Sequence, residues 1–295
     1  MKWIELFVQT DAEGAEAAAA LLNEHVSGSA VIEETVTPDP GENFDPARAF
    51  TVRAFFSPAD GAIQTRVEEQ LWHLAQLRFM TAPQKREVAE EDWAEAWKKY
   101  YKIFHASERL VIKPTWLAYT ARDHEVIVEL DPGMAFGTGL HPTTRMCLRA
   151  LERVRNFSRV LDVGTGSGIL SIAAAKLGAR EILALDTEPI AVETATRNIA
   201  HNQMDRVVRV MRGSIDIATH ESPFDLILIN ILAEVIAELA PAFAAKLARG
   251  GKIIASGILD FKTDGVVDAL RAVGIETIEQ MHQDDWVTLI GLREV

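Results

Sequence analysis

The sequence is short of cysteine, of positive charge and of long apolar runs, and each shortage removes a class of protein. Its one cysteine, Cys147, leaves no internal disulfide framework and no multi-cysteine zinc or iron-sulfur site, so no metal is expected. A reducing compartment fits. The 30 lysines and arginines are outnumbered by 43 acids, which gives a net charge of -13. A chain that held nucleic acid through its phosphates would need clustered cations to release counterions, the opposite balance. The acidity either draws a basic partner or serves solubility alone, and both readings stay open here. No apolar run approaches the ~18 residues that span a bilayer, and Met1-Lys2-Trp3-Ile4-Glu5 carries an early acid unlike a targeting peptide. The expectation is a cytoplasmic monomer with no membrane contact and no direct dependence on nucleic acid.

What is present suits a folded chain of one large domain and a smaller companion, since 295 residues exceed one average domain. Residues Lys2 to Thr10 alternate apolar and polar as a half-buried strand does, and Ala12 to His25 read as an alanine-rich helix. Strand-like runs follow at Ala30 to Thr37 and Phe50 to Phe56, then a helix over Ile63 to Phe79 and a strand near Arg86 to Glu90. That β-α-β-β-α-β order predicts a small ferredoxin-like α+β domain over residues 1–90. Glu91 to His105 carry Trp93, Trp97, Tyr100, Tyr101 and Phe104 at helical spacing, a connecting helix whose aromatic face either packs domains together or grips a partner. Runs at Leu110 to Ile112 and Glu125 to Leu130 lead from this linker region, 91–130, into a second domain over 131–295.

From Arg159 onward, strands and helices take turns, which predicts a parallel sheet covered on both faces. The ending differs. Ile275 to Met281 and Trp286 to Leu292 are joined by only His282-Gln283-Asp284-Asp285, too short for a crossover helix, so they form an antiparallel hairpin. The fold class is therefore α/β, a seven-stranded Rossmann-like sheet with an antiparallel last strand, an ending typical of methyltransferases and foreign to dehydrogenases.

The turn Asp162-Val163-Gly164-Thr165-Gly166-Ser167-Gly168 follows the strand at Val160 and opens the helix from Ile169, so its amides and the helix N-terminus are expected to face a ligand. A lone glycine turn is weak evidence. Asp162 narrows it: a carboxylate there suits the ammonium of a methionine moiety and repels a pyrophosphate, which points to S-adenosylmethionine. Gly164, Thr165 and Gly166 would line the donor. Asp186, ending the next strand, is placed for ribose hydroxyls, as it would be in a dinucleotide fold. Asp216 is placed for the adenine amino group or is a simple loop turn.

At the end of the fourth strand stand Asn230-Ile231-Leu232-Ala233, where the Asn230 amide oxygen can orient an amine for methyl transfer, or the side chain only caps the next helix. No aromatic ring follows Asn230, so an aliphatic amine fits better than a planar acceptor. The segment Asp131 to Thr144 is rich in glycine and proline and reads as a ligand-covering loop, with Phe136 over the sulfonium or adenine. Thr143 either bonds the methionine carboxylate or, like Thr144, caps the helix from Arg145. His141 is a base or a structural loop residue, and Cys147 a small buried hydrophobe.

Glu91-Asp92-Trp93 with Trp97-Lys98, Lys113-Pro114-Thr115-Trp116, the loop Asp131 to Thr144, Asp162 to Gly168, Asn230 to Ala233 and Asp285-Trp286 stand in the order of one known family. The chain resembles the bacterial ribosomal protein L11 methyltransferases, the PrmA family, most weakly before about residue 90. That resemblance implies donor contacts at Thr143, Gly164, Asp186 and Asn230. It also implies an N-terminal domain that recognises L11, a linker that lets it swing, and trimethylation of lysine side chains and an α-amino group. Other acceptors, a second protein's lysine or a glutamine amide, and a non-catalytic donor-binding assembly factor remain as alternatives.

Overall fold

In β1, Lys2–Thr10, the alternation places Leu6 and Val8 inside, while Glu5 points to the other face and is buried there between Arg53, at 2.9 Å, and Arg86. A computed structural model describes residues 2–23, 25, 30–34, 50–56, 60–89, 102–131, 139, 141–154, 156–218 and 221–294, and the chain divides into two units, Met1–Tyr101 and Lys102–Val295. The first unit continues with helix α1 (Ala12–Asn23), strands β2 (Val31–Glu34) and β3 (Phe50–Phe56), helix α2 (Gly61–Leu77) and strand β4 (Gln84–Ala89). Its four strands lie in the order β2-β3-β1-β4, each pair antiparallel. The alanines of α1 explain how the helix approaches the sheet: Ala15, Ala18 and Leu22 are buried with Val52, Ala54 and Phe56 of β3 and with Val67 and Leu71 of α2.

The second unit begins with a three-stranded sheet of β5 (Phe104–His105), β6 (Leu110–Pro114) and β7 (Val126–Leu130). Two residues correct the sequence reading. Phe104 and His105, expected to end the connecting helix, are extended and pair with Ile112 and Val111 because the edge of β6 offers unpaired backbone there. Lys102 and Ile103 are not helical either, and residues 91–101 of that expected helix lie outside the described residues, as do the loop from Pro38 to Pro46 and the core of the glycine-rich loop, Phe136 included.

Helix α3 (Pro142–Arg153) precedes the main sheet, built from β8 (Arg159–Val163), α4 (Ile169–Lys176), β9 (Glu181–Asp186), α5 (Pro189–His201), β10 (Val208–Arg212), β11 (Phe224–Asn230), α6 (Ala233–Lys246), β12 (Leu247–Leu259), α7 (Thr263–Ala272), β13 (Ile275–Gln283) and β14 (Trp286–Arg293). The strand order is β10-β9-β8-β11-β12-β14-β13, parallel except that β14 runs antiparallel to both neighbours. The hairpin read from the short link at residues 282–285 is present. Each face carries its own core. Val160 and Leu228 pack with Leu148, Ile172 and Ala195 of α3, α4 and α5, whereas Leu161 and Ile227 pack with Ile236 and Phe243 of α6 and Leu270 of α7. The buried run Ile172 to Ala175 lets α4 sit close to the strands, and that closeness sets where the preceding glycine turn stands.

Strand β12 is longer than the run Lys252 to Ser256 read from the sequence. It is interrupted by a register shift between Ala255 and Ile258, with Gly257 at φ +85. A Cβ on Gly257 would lie 2.2 Å from the Ile231 carbonyl oxygen, so only glycine lets this bulge press against the backbone after β11.

Candidate active site

Reversals in strand order leave a crevice at the carboxyl ends of the strands, and in this sheet the order reverses between β8 and β11. Gly164, Gly166 and Gly168 all adopt positive φ, at +75, +56 and +84, which turns the chain sharply from β8 into α4. A Cβ on Gly164 would fall 2.5 Å from the Ile231 Cγ2, so the glycine turn and the segment after Asn230 touch. Gly164→Ala is therefore expected to cost about 2–4 kcal/mol of stability, from the left-handed backbone and the overlap together. Urea unfolding followed by circular dichroism reads it, and an unchanged midpoint would contradict the packing described.

The amides of this turn do not face outward as the sequence reading expected. Gly164 and Thr165 both donate to the Leu185 carbonyl, at 2.8 and 2.9 Å, Gly166 donates to Asp186 Oδ2 at 2.9 Å, and Gly168 donates to the Thr165 carbonyl at 2.9 Å. Backbone donors next to a second strand end are satisfied by that strand before any ligand arrives. What the turn offers is its shape and the carboxylates beside it.

Asp162 is 1% exposed. Its Oδ2 accepts from the Thr165 hydroxyl at 2.7 Å and the Ser171 hydroxyl at 2.6 Å, while Oδ1 is buried with no hydrogen-bond partner among the described residues. Burial pushes the Asp162 carboxyl up to about 6, opposed by the hydroxyls of Ser171 and Thr165 and assisted by the charge of Asp186. Asp186 ends β9 and is half-buried; its Oδ1 accepts from the Glu188 amide at 3.0 Å. Gly213 donates to the Asp186 carbonyl at 2.8 Å, which ties the end of β9 to the loop after β10. Asp216 follows on a 3-10 turn, Ile215–Ala218, and is exposed.

Asn230 ends β11 opposite Ser256 of β12 and donates from Nδ2 to the Thr144 hydroxyl at 3.3 Å. That bond fixes the amide so that Oδ1 is its acceptor. Asn230 does not cap the next helix, since the cap position belongs to Leu232. Thr143 is buried, and its hydroxyl lies 2.8 Å from His141 Nδ1, while its carbonyl accepts from Ser256 Oγ at 3.4 Å. The cap of α3 is His141, not Thr143 or Thr144, because Pro142 begins the helix one turn earlier than expected. Burial pushes the His141 imidazole down to about 4, with the charge of Arg145 adding to it, and the ring stands edge-on to Trp286 at 4.9 Å. A histidine so placed is held toward its neutral form and caps α3. Cys147 is buried and its thiol is pushed up to about 12 by that burial, an inert side chain.

The structure thus gathers Asp162, Gly164, Thr165, Gly166, Asp186 and Asn230 on one edge of the sheet, and adds Ser171 and Asn198, which sequence reading passed over, and Thr144, which it read only as a helix cap. Ser171 bonds Asp162 and Thr144 bonds Asn230, and Asn198 donates to the Ser167 carbonyl at 2.8 Å while accepting from the Asp131 amide at 2.9 Å. A hydroxyl or amide on a helix carries no signal of its own in sequence, but Gly257 inside a strand does. Among the described residues no cluster of histidine, cysteine and acid could hold a metal, and no helix is long and apolar enough to cross a membrane.

The sequence profile of the family described as "Ribosomal protein L11 methyltransferase (PrmA)" matches residues 2–294. A ribosomal protein L11 methyltransferase of Chloroflexus aurantiacus is 42% identical over 99% of this chain and 98% of its own length. Another, of Pelotomaculum thermopropionicum, is 42% identical over 98% of each. The crystal structure of a ribosomal protein L11 methylase from Lactobacillus delbrueckii superposes with a TM-score of 0.61 at 35% identity, covering 66% of this chain and all of that one. A match that runs from residue 2 to residue 294 takes in both units and every residue of the edge described above, and the chain belongs to the ribosomal protein L11 methyltransferase (PrmA) family.

Proposed function

We propose that the chain transfers methyl groups from S-adenosylmethionine to lysine side chains and the N-terminal α-amine of ribosomal protein L11, as far as trimethylation. One observation carries the donor assignment: a buried carboxylate oxygen, Asp162 Oδ1, without a hydrogen-bond partner among the described residues, beside a tight glycine turn. A buried unsatisfied acceptor is costly unless a donor fills it, and the ammonium of a methionine moiety is such a donor. Bound at this edge, S-adenosylmethionine supplies an electrophilic methyl group on a sulfonium. Asp162 holds its ammonium, Gly164, Thr165 and Gly166 shape the pocket, Asp186 accepts from ribose hydroxyls, and Asp216 is assigned the adenine amino group. Thr143 is assigned the methionine carboxylate and Phe136 the cover.

Asn230 orients the acceptor in the first two transfers: with Nδ2 given to Thr144, Oδ1 accepts from an N–H of the incoming amine and turns its lone pair toward the methyl carbon, whereas the third transfer, to a dimethylamine without an N–H, rests on the shape of the pocket. The ammonium must shed a proton first. His141 is buried and capped into its helix, so desolvation of the acceptor itself lowers its pKa, and the rate rises from neutral to alkaline pH. The first unit, whose strand order supports a ferredoxin-like reading, serves as the L11-recognition domain over residues 1–90; of the connecting residues 91–130, those from Lys102 onward belong to the second unit. Trp72, Leu77 and Phe79 are exposed in that unit and give it apolar surface for a protein partner. The reading places the enzyme in the cytoplasm as a monomer.

Incubation of the chain and labelled donor with purified ribosomal proteins, followed by peptide mapping, tests this reading. Label on L11 lysines and its α-amine is the expected result. Label on a glutamine amide or another protein would overturn the acceptor, and no transfer at all would overturn the enzyme.

A further inference from the structure

We propose that the loops after β11 and β12 form a docking rim for the positively charged segment that carries the acceptor amine, an inference that rests on the proposed function and names the surface presenting its substrate. Leu232 is 52% exposed and Phe261 is 70% exposed, although both follow strands whose apolar residues are otherwise buried. A phenyl ring left in water costs free energy that a bound partner would recover. The two loops are held as one surface. Lys262 Nζ lies 2.7 Å from Glu234 Oε1, the Asp260 amide donates to the Asp285 carbonyl at 2.9 Å, and Gly257 backs onto the peptide of Ile231, next to Asn230.

Charge decides what fits. Lys262 is already paired with Glu234 and stands over one side of the Phe261 ring at 5.6 Å, and exposed Asp264 and Asp285 have no salt-bridge partner among the described residues. Apolar ground ringed by carboxylates suits lysine-rich chain: the aliphatic stems lie on Phe261 and Leu232, and the ammonium groups face Asp264 and Asp285. The same carboxylates repel nucleic acid and a second copy of this acidic chain.

Steady-state methylation of L11 by Phe261→Ser, and by the double variant Asp264→Lys with Asp285→Lys, tests the rim, with the donor Kd taken by calorimetry and folding checked by thermal melting. Each variant is expected to raise KM for L11 about tenfold with kcat and donor Kd within about twofold, and charge reversal is expected to flatten the salt dependence of KM. Unchanged KM in both variants, where the wild type methylates L11, overturns the rim and leaves the proposed function standing. Failure of the wild type to methylate L11 in the same assay overturns both.

Discussion

Asn230→Ala is expected to lower kcat by about 100- to 1000-fold while weakening donor binding only a few-fold. The asymmetry follows from where the amide is tied. Its Nδ2 is engaged by Thr144 on α3, and its strand is locked to Ser256, so Oδ1 is held in one orientation, the one the proposed mechanism uses to meet the acceptor nitrogen. Removing it frees the nitrogen to rotate away from the methyl carbon, a loss felt in the transition state more than in the ground state. Stability should change little, because the helix after Asn230 begins past Leu232 and takes no cap bond from Asn230. Thr144→Val should give a smaller fall, since it loosens the orientation of the amide and leaves the amide itself. Single-turnover rates with saturating donor separate these effects from binding. A kcat within tenfold of the wild type in Asn230→Ala would remove Asn230 from the catalytic role.

Asp162→Asn separates stability from function in the opposite direction. An acid whose folded pKa is raised from 3.8 to about 6 is more readily protonated in the fold than in the unfolded chain. Its effect on stability therefore runs one way: no penalty below about pH 4, a penalty that grows as pH rises through the window from 4 to 6, and the full penalty above. At full ionisation the displacement corresponds to about 3 kcal/mol, an upper bound that an unpartnered amide NH2 in the variant would reduce. The donor-free variant should thus be more stable than the wild type at pH 8 and equal to it near pH 4. Donor affinity should move the other way, falling roughly 10- to 100-fold with the loss of a charged hydrogen bond worth about 1.5–3 kcal/mol. Denaturant unfolding at both pH values, beside calorimetry, reads the pair of outcomes. A variant less stable than the wild type at pH 8 would mean that the carboxylate is a structural member of the turn.

Much of the second unit was legible because its signals are local. Alternating strands and helices from Arg159 onward, and the short link at residues 282–285, are enough to order seven strands and to turn the last one around. Element edges slipped where tertiary contact overrules propensity. Phe104 and His105 share helical spacing with the aromatic residues before them but are claimed by the edge of β6, and β12 extends to Leu259 because Gly257 lets it bend against Ile231. In the site, carboxylates and glycines announce themselves by position at strand ends. Their supports do not. Ser171 and Thr144 lie on helices as ordinary small polar residues, and only the fold brings their hydroxyls to Asp162 and Asn230. The amides of the glycine turn show the reverse error: the motif suggests that they await a ligand, yet Leu185 and Asp186 take them, because strand β9 ends beside the turn.

Calorimetric titration of the wild-type chain with S-adenosylmethionine across about pH 4.5 to 7 bears most directly on the role of Asp162. Affinity is predicted to be level from about pH 6.5 upward and to fall close to tenfold per pH unit below about 6, as the carboxylate takes up a proton and stops pairing with the ammonium. An affinity independent of pH through that window, or heat from a nicotinamide dinucleotide and none from the sulfonium donor, would contradict it.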